Sequence, residues 1–382
     1  MPMAYFDVAA TTKPRPEVIE TMMPYLTSMW QNPSSLYSSS VTIKNAIEDA
    51  RQTVAKFINA DTDEIIFTSG GSESNCAAIQ GFISYCRSIG KTPTIITSTV
   101  EHKSILLCVE NEAENLYYVD VDSEGFIKIE DLWKILKSIP KDNMIFVSIQ
   151  FANNEIGTIQ HIKEISKMVH SFGGVFHTDA VQAFGHELID VQELGIDMLS
   201  ASGHKINAVN GTGILYKNKN IKINPLIYGT QENGLRGGTE NVAGIIGFAK
   251  AVELLQKDIV FNNRSTTFKR NYLISKLQSM GCVLNGAYNQ RLSNNINVTF
   301  PQKIAGEALI YMMDSAGFQI SAGSACNSHS QSISHVLGAI GLSEDEALRT
   351  VRITLPDDIN MKDLDSIVSE FKKAIKILDI SV

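Results

Sequence analysis

Ile196-Asp-Met-Leu-Ser-Ala-Ser-Gly-His-Lys205 is a run of apolar and small residues that ends on a lysine, and Asn210-Gly-Thr-Gly-Ile-Leu-Tyr216 turns the chain into a second apolar run. Short apolar segments bounded by glycine read as buried sheet strands. Four upstream segments share this character: Glu64-Ile-Ile-Phe-Thr68, Thr94-Ile-Ile-Thr97, Met144-Ile-Phe-Val-Ser-Ile149 and Gly174-Val-Phe-His177. With Asp197–Leu199 and Gly213–Tyr216 they alternate with helix-length segments. One of these places Ile43, Ala46, Ile47, Ala50, Val54 and Phe57 on a single helical face. The alternation predicts an α/β fold with a mostly parallel sheet covered on both faces. Ligands in such sheets sit beyond the carboxyl ends of the strands, so the loops there are the place to look for chemistry. After about residue 255 the pattern becomes α+β. A charged helical stretch over 257–280 precedes Asn294-Asn-Ile-Asn-Val-Thr-Phe300, and Met361–Leu378 has helical spacing. We expect a large domain over 14–255 and a smaller one from 1–13 with 256–382, joined by a continuous helix or short joint.

The bulk composition sets further bounds. A chain of 382 residues, 44% hydrophobic and 19% charged, has the make-up of a globular protein with one large and one smaller domain. A net charge of −8 leaves no electrostatic footprint for nucleic acid. No apolar run approaches membrane-spanning length and no basic, apolar leader opens the chain, so the expectation is a cytoplasmic protein with no membrane partner. The five cysteines, Cys76, Cys86, Cys108, Cys282 and Cys326, form an odd set without a C-x-x-C pair. That argues against a disulfide framework and a structural zinc site, and no metal is expected. At least one thiol is left to react.

Five loops then carry chemistry. Thr68-Ser-Gly-Gly71-Ser72-Glu-Ser-Asn75 leads into an apolar helix, where glycines, helix-start amides and a hydroxyl can cradle phosphate. Ser98-Thr-Val-Glu-His102 puts an imidazole on the same rim, and Asn153-Asn154-Glu-Ile-Gly157 supplies a side-chain amide. His177-Thr-Asp179-Ala-Val-Gln182 offers a carboxylate that can pair with a protonated pyridine nitrogen. Ser202, His204 and Lys205 come last, and a desolvated lysine there can form a Schiff base with an aldehyde cofactor. Each feature alone has an ordinary explanation as a cap, turn or solvated residue. Together they point to pyridoxal 5'-phosphate, with Ser321-Ala-Gly-Ser-Ala-Cys326 adding a thiol in a loop of small residues.

At this point the chain resembles the cysteine desulfurases, sulfur donors for iron–sulfur clusters, within the class V aminotransferase-like, fold type I pyridoxal phosphate enzymes. Besides the five loops, the matching blocks include Tyr5–Thr12, Asn32–Ser35, Gly234–Gly244, Asn294–Asn297, Ser321–Cys326 and Val351–Thr354. They span nearly the whole chain in family order. The resemblance implies a seven-stranded, mostly parallel sheet in the larger domain. It also implies Lys205 as the Schiff-base lysine, His102 as the ring-stacking acid/base group and Asp179 as the pyridine partner. Asn154 and Gln182 would reach the ring oxygen. Gly71, Ser72, Ser202 and His204 would hold phosphate, with Thr239 contributed by the other subunit of a homodimer. Arg352, with Asn32 and Asn154, would bind the substrate L-cysteine, and Cys326 would take its sulfur as a persulfide, releasing L-alanine. A sulfur-acceptor or iron–sulfur scaffold protein would be the partner.

Val8, Tyr37, Thr230 and Pro356 depart from the usual family residues without removing any of these groups. Two other readings stand beside the first. One is a selenocysteine lyase or aminotransferase of the same family. The other is a degenerate paralogue acting as a sulfur-relay or scaffold-binding subunit, against which the intact Lys205, Asp179, His102 and Cys326 speak.

Overall fold

The computed structural model describes residues 4–301, 304–322 and 333–379. Strand β1 (Ala4–Tyr5) is followed by β2 (Ile65–Thr68), β3 (Pro93–Ser98), β4 (Leu116–Val119), β5 (Met144–Ser148), β6 (Val175–Asp179), β7 (Met198–Ser202) and β8 (Gly213–Lys217). Later come β9 (Val283–Leu284), β10 (Asn295–Thr299), β11 (Phe318–Gln319), β12 (Ser321–Ala322) and β13 (Thr350–Thr354). The large sheet has seven strands in the order β2-β8-β7-β6-β5-β3-β4. From β7 to β4 neighbouring strands run parallel. β8 is antiparallel to both of its neighbours. The turn from Gly203 to Thr212 is too short for a crossover helix, so the chain returns antiparallel there. β2 then runs the same way as β7, which brings its carboxyl end to the common rim.

The six strands expected from sequence are all present. β4 is an additional edge strand whose Tyr117 and Tyr118 are 40% and 38% exposed. It carries neither a buried run nor a period of two, and so escapes both patterns. Within the sheet successive residues face opposite sides. Ile96, Val147 and Leu199 join one core, while Ile95, Phe146 and Met198 join the core on the other face. The helix Ser38–Phe57 buries Ile43, Ile47, Ala50 and Val54 against the first, with Ala46 and Phe57 packed beside them. Each fully buried side chain of this size contributes roughly 1.5–3 kcal/mol.

A third core gathers Phe6, Ile296, Val351, Ile353 and Phe371 around a smaller antiparallel sheet, β12-β13-β10-β9. The unbroken helix Val242–Gln278 runs from Phe248 and Leu255 in the first core to Leu273 and Leu277 in this one. Among the described residues no helix is long and apolar enough to cross a membrane.

Candidate active site

The carboxyl ends of β2, β3, β5, β6 and β7 converge on a cavity of about 370 Å³. Its lining includes Gly71, Ser72, His102, Asn154, Asp179, Gln182, Ser202, His204, Lys205 and Arg352. Ten candidate residues from distant parts of the chain thus meet in one place. The floor is set by close backbone approach. Gly70 has φ 153°, outside the range of ordinary side-chain-bearing residues. A Cβ on Gly71 would lie 2.4 Å from Val181 Cγ2. The helix Gly71–Ser88 starts immediately there, so its first amides and the Ser72 hydroxyl are available to an anion.

Lys205 ends the short turn that follows β7, and its Nζ donates to the carbonyls of Ala9 and Ala10, the latter at 2.8 Å. The opening segment of the chain is therefore a wall of the cavity. It also supplies Thr11, whose Oγ1 lies 3.2 Å from His204 Nδ1. Burial, with the Lys205 charge beside it, pushes the His204 imidazole down to about 4, so it stays neutral near pH 7. Gln182 Nε2 donates to the Ala9 carbonyl at 3.0 Å.

Asp179, 6% exposed, accepts from Asn75 Nδ2 at 2.8 Å and from the Val181 amide at 2.9 Å. Asn75 also donates to Ser104 Oγ at 3.0 Å. His102 caps the helix Lys103–Glu112, with its Nδ1 accepting from the Ser104 amide at 3.1 Å. Arg352 reaches in from β13, held by Asp7 Oδ1 at 2.7 Å and the Asn154 carbonyl at 3.0 Å. Among the described residues its buried Nε has no partner.

Several groups at this site went unassigned from sequence although each lies inside a quoted block. Asp7 orients Arg352, and Asn75 orients Asp179. Glu101 and Glu155 are buried carboxyls in the cavity lining. Burial pushes Glu101 up to about 8, although Ser98 Oγ at 2.5 Å and the Gln150 amide at 3.0 Å donate to its Oε1. Burial pushes Glu155 up to about 7, and it accepts from Ser334 Oγ at 2.5 Å. Two expected residues lie elsewhere. Asn32 is exposed and accepts from the Ser34 amide at 2.9 Å in a surface turn. Thr239 lines a separate hollow with Ser69, Arg236 and Gly238. Cys326 lies outside the described residues.

The donor set fits pyridoxal phosphate. A glycine-floored helix start with neighbouring hydroxyls suits the phosphate, a buried carboxylate suits a pyridinium nitrogen, and a lysine amine suits an aldehyde.

Comparison with known proteins agrees with this geometry. The family model described as Aminotransferase class-V matches residues 4–366. The chain is 44% identical over 380 residues to a protein named Cysteine desulfurase IscS from Dictyoglomus turgidum, covering 98% of this chain and 95% of that one. It is similar to a solved NifS-like protein with a TM-score of 0.91 and 31% identity over 98% of this chain and 100% of that one. A structure titled SspA in complex with cysteine has a TM-score of 0.79 and 36% identity, covering 92% and 99% of the two chains.

Proposed function

The chain belongs to the class-V aminotransferase family, and from that membership and the cavity we propose that it is a pyridoxal phosphate-dependent cysteine desulfurase. It converts L-cysteine to L-alanine and transfers the sulfur to Cys326. The observation that carries this reading is the meeting of Lys205, Asp179, His102 and Arg352 on one rim. Bound there, the cofactor would supply an electron sink that acidifies the Cα–H bond of an amino acid.

The protein's own groups have distinct tasks. Gly71, Ser72, Ser202 and His204 bind the phosphate, with neutral His204 adding a hydrogen bond but no charge. Asp179, fixed by Asn75, keeps the ring nitrogen protonated, and Asn154 and Gln182 orient the ring edge. Lys205 holds the cofactor and removes the Cα proton with its Nζ. Arg352 pairs with the substrate carboxylate, a contact suited to a guanidinium already oriented by Asp7. The Cys326 thiolate attacks the substrate sulfur. The Cβ–S bond breaks with its electron pair left on carbon, the sulfur remains on Cys326 as a persulfide, Cβ takes up a proton, and Lys205 returns a proton to Cα to give alanine.

We extend the reading to a cytoplasmic homodimer in which Thr239 serves the partner's phosphate site, which accords with its place outside this chain's own cavity. The persulfide would then pass to a sulfur acceptor or an iron–sulfur scaffold protein. The larger domain would span 14–255, and 1–13 with 256–382 the smaller; the separate core around Phe6 and Phe371 supports that division.

The direct test is the protein loaded with pyridoxal phosphate and given L-cysteine and a thiol reductant. Equal amounts of alanine and sulfide are expected, and production of a keto acid instead would make it an aminotransferase. Arg352→Ala should raise the KM for L-cysteine by on the order of a hundredfold, the scale of a lost charge-assisted pair. Its cofactor absorbance should be retained, and an unchanged KM would place the carboxylate elsewhere.

A further inference from the structure

On the reading above Lys205 takes the Cα proton, while the family resemblance makes His102 a ring-stacking acid/base group. We infer that His102 instead works as a neutral imidazole with its proton held at Nε2, a fixed hydrogen-bond donor, and that Ser104 and Asn75 are positioning residues that impose this form. The argument is one of hydrogen-bond polarity. Nδ1 of His102 faces the backbone amide of Ser104 at 3.1 Å, and an amide N–H can only donate. It also lies 2.8 Å from Ser104 Oγ.

With Nδ1 already an acceptor of the Ser104 amide, that hydroxyl gives its proton to Nδ1 and its oxygen is left to accept from Asn75. Asn75 Nδ2 donates to Ser104 Oγ at 3.0 Å and to Asp179 Oδ2 at 2.8 Å. Flipping the Asn75 amide would set its oxygen against the Asp179 carboxylate, so its polarity is fixed. Ser104 Oγ accepts from Asn75 and gives its own proton to Nδ1. Buried Asn75, 1% exposed, therefore anchors a chain of single polarity from Asp179 to the imidazole.

A cationic ring would need a proton on Nδ1, pointed at two donors. The surroundings add to this cost. His102 is the N-cap of a ten-residue helix, whose positive end disfavours a cation. A positive ring here and a positive His335, on the helix His335–Ala339, would repel each other, and Lys103 and Lys205 share the cavity lining. The carboxyls in the cavity lining are Glu101 and Glu155, pushed up to about 8 and about 7 by burial, and Asp179, which is already engaged by Asn75. An Nε2 that already bears a proton cannot take another. The proton leaving substrate Cα then falls to Lys205, and His102 polarises what lies over it, as a neutral histidine at a helix start can.

The test uses protein labelled with ¹⁵N-histidine and loaded with pyridoxal phosphate, with His102 assigned by the His102→Gln difference spectrum. The expected result is a pyridine-type Nδ1 and a pyrrole-type Nε2 that persist as pH falls through the ordinary histidine value of about 6.5. Titration at that ordinary value, or a pyrrole-type Nδ1, would overturn the inference. Ser104→Ala removes one of the donors. It should admit the second tautomer and lower kcat roughly five- to tenfold, the scale of one hydrogen bond, with the KM for L-cysteine unchanged. Ser104→Thr, which keeps the hydroxyl, should restore both readouts, and an unaltered His102 spectrum in Ser104→Ala would remove Ser104 from the role. Alanine formation by the wild type is measured on the same sample. Its absence beside the expected spectrum would sink the desulfurase reading and leave the assignment of His102 standing.

Discussion

Replacing Lys205 by alanine lowers alanine formation from L-cysteine by on the order of a thousandfold or more, because one side chain is assigned both the covalent hold on the cofactor and the Cα proton transfer. The geometry that concentrates both tasks on this residue is local. β7 is buried throughout, the chain leaves it through Ser202 and Gly203, and the following turn places Lys205 Nζ at the carbonyls of Ala9 and Ala10. Those carbonyls accept from the amine and fix its place on the rim. Two measurements check the result. Borohydride treatment followed by mass spectrometry should leave the cofactor mass on the Lys205 peptide of the wild type and on no peptide of Lys205→Ala. The variant should also lack the visible absorbance of the wild type. A yellow variant that makes alanine at the normal rate would end the case for this lysine.

The same residue shows what a sequence can and cannot disclose. Burial and period mark β7, and glycine marks its end, so Lys205 could be placed on a rim with the ends of four other strands. The partner of its Nζ could not be read, since Ala9 and Ala10 contribute backbone oxygens that have no sequence signature. Asp7 is a similar case. It binds Arg352 across a separation of 345 residues, and only the docking of the opening segment beside β13 brings them together. Asn75 sits one turn into its helix, at the end of a block already noted for other reasons, and Ser104 is the second residue of its own helix; the importance of both lies in which atom faces which. Hydrophobic patterning records how deeply a residue is buried but is silent on hydrogen-bond polarity. β4 was missed because an exposed edge lacks the burial from which that patterning arises. Asn32 shows the reverse limit, since a residue carried over from a motif is found in a surface turn of this chain.

The last expectation concerns the thiol. Cys326→Ala should bind pyridoxal phosphate with wild-type absorbance and should still show a spectral change on adding L-cysteine, because the groups assigned to those steps are Lys205, Asp179 and Arg352. It should make almost no alanine, since the nucleophile that accepts the substrate sulfur is gone. Cys86 and Cys282 are buried, and burial pushes their thiols up to about 11 and about 12, far from the thiolate form that attacks sulfur. Cys108 is also buried and pushed up, chiefly by the hydrogen bond it shares with Cys76. Cys76 is the one real competitor among the described thiols. It is half-buried, and that same hydrogen bond draws it down to about 7. The decisive comparison therefore sets Cys326→Ala beside Cys76→Ser. After L-cysteine treatment, mass spectrometry should find one added sulfur on the peptide carrying Cys326 in the wild type and in Cys76→Ser, and none on the peptides carrying Cys76, Cys86, Cys108 or Cys282. Sulfide release by Cys326→Ala at the wild-type rate would replace the persulfide route with a direct lyase reaction. Loss of activity in Cys76→Ser with the sulfur found on Cys76 in the wild type would move the acceptor to the helix Gly71–Ser88, beside Asn75 and the start of the phosphate cradle.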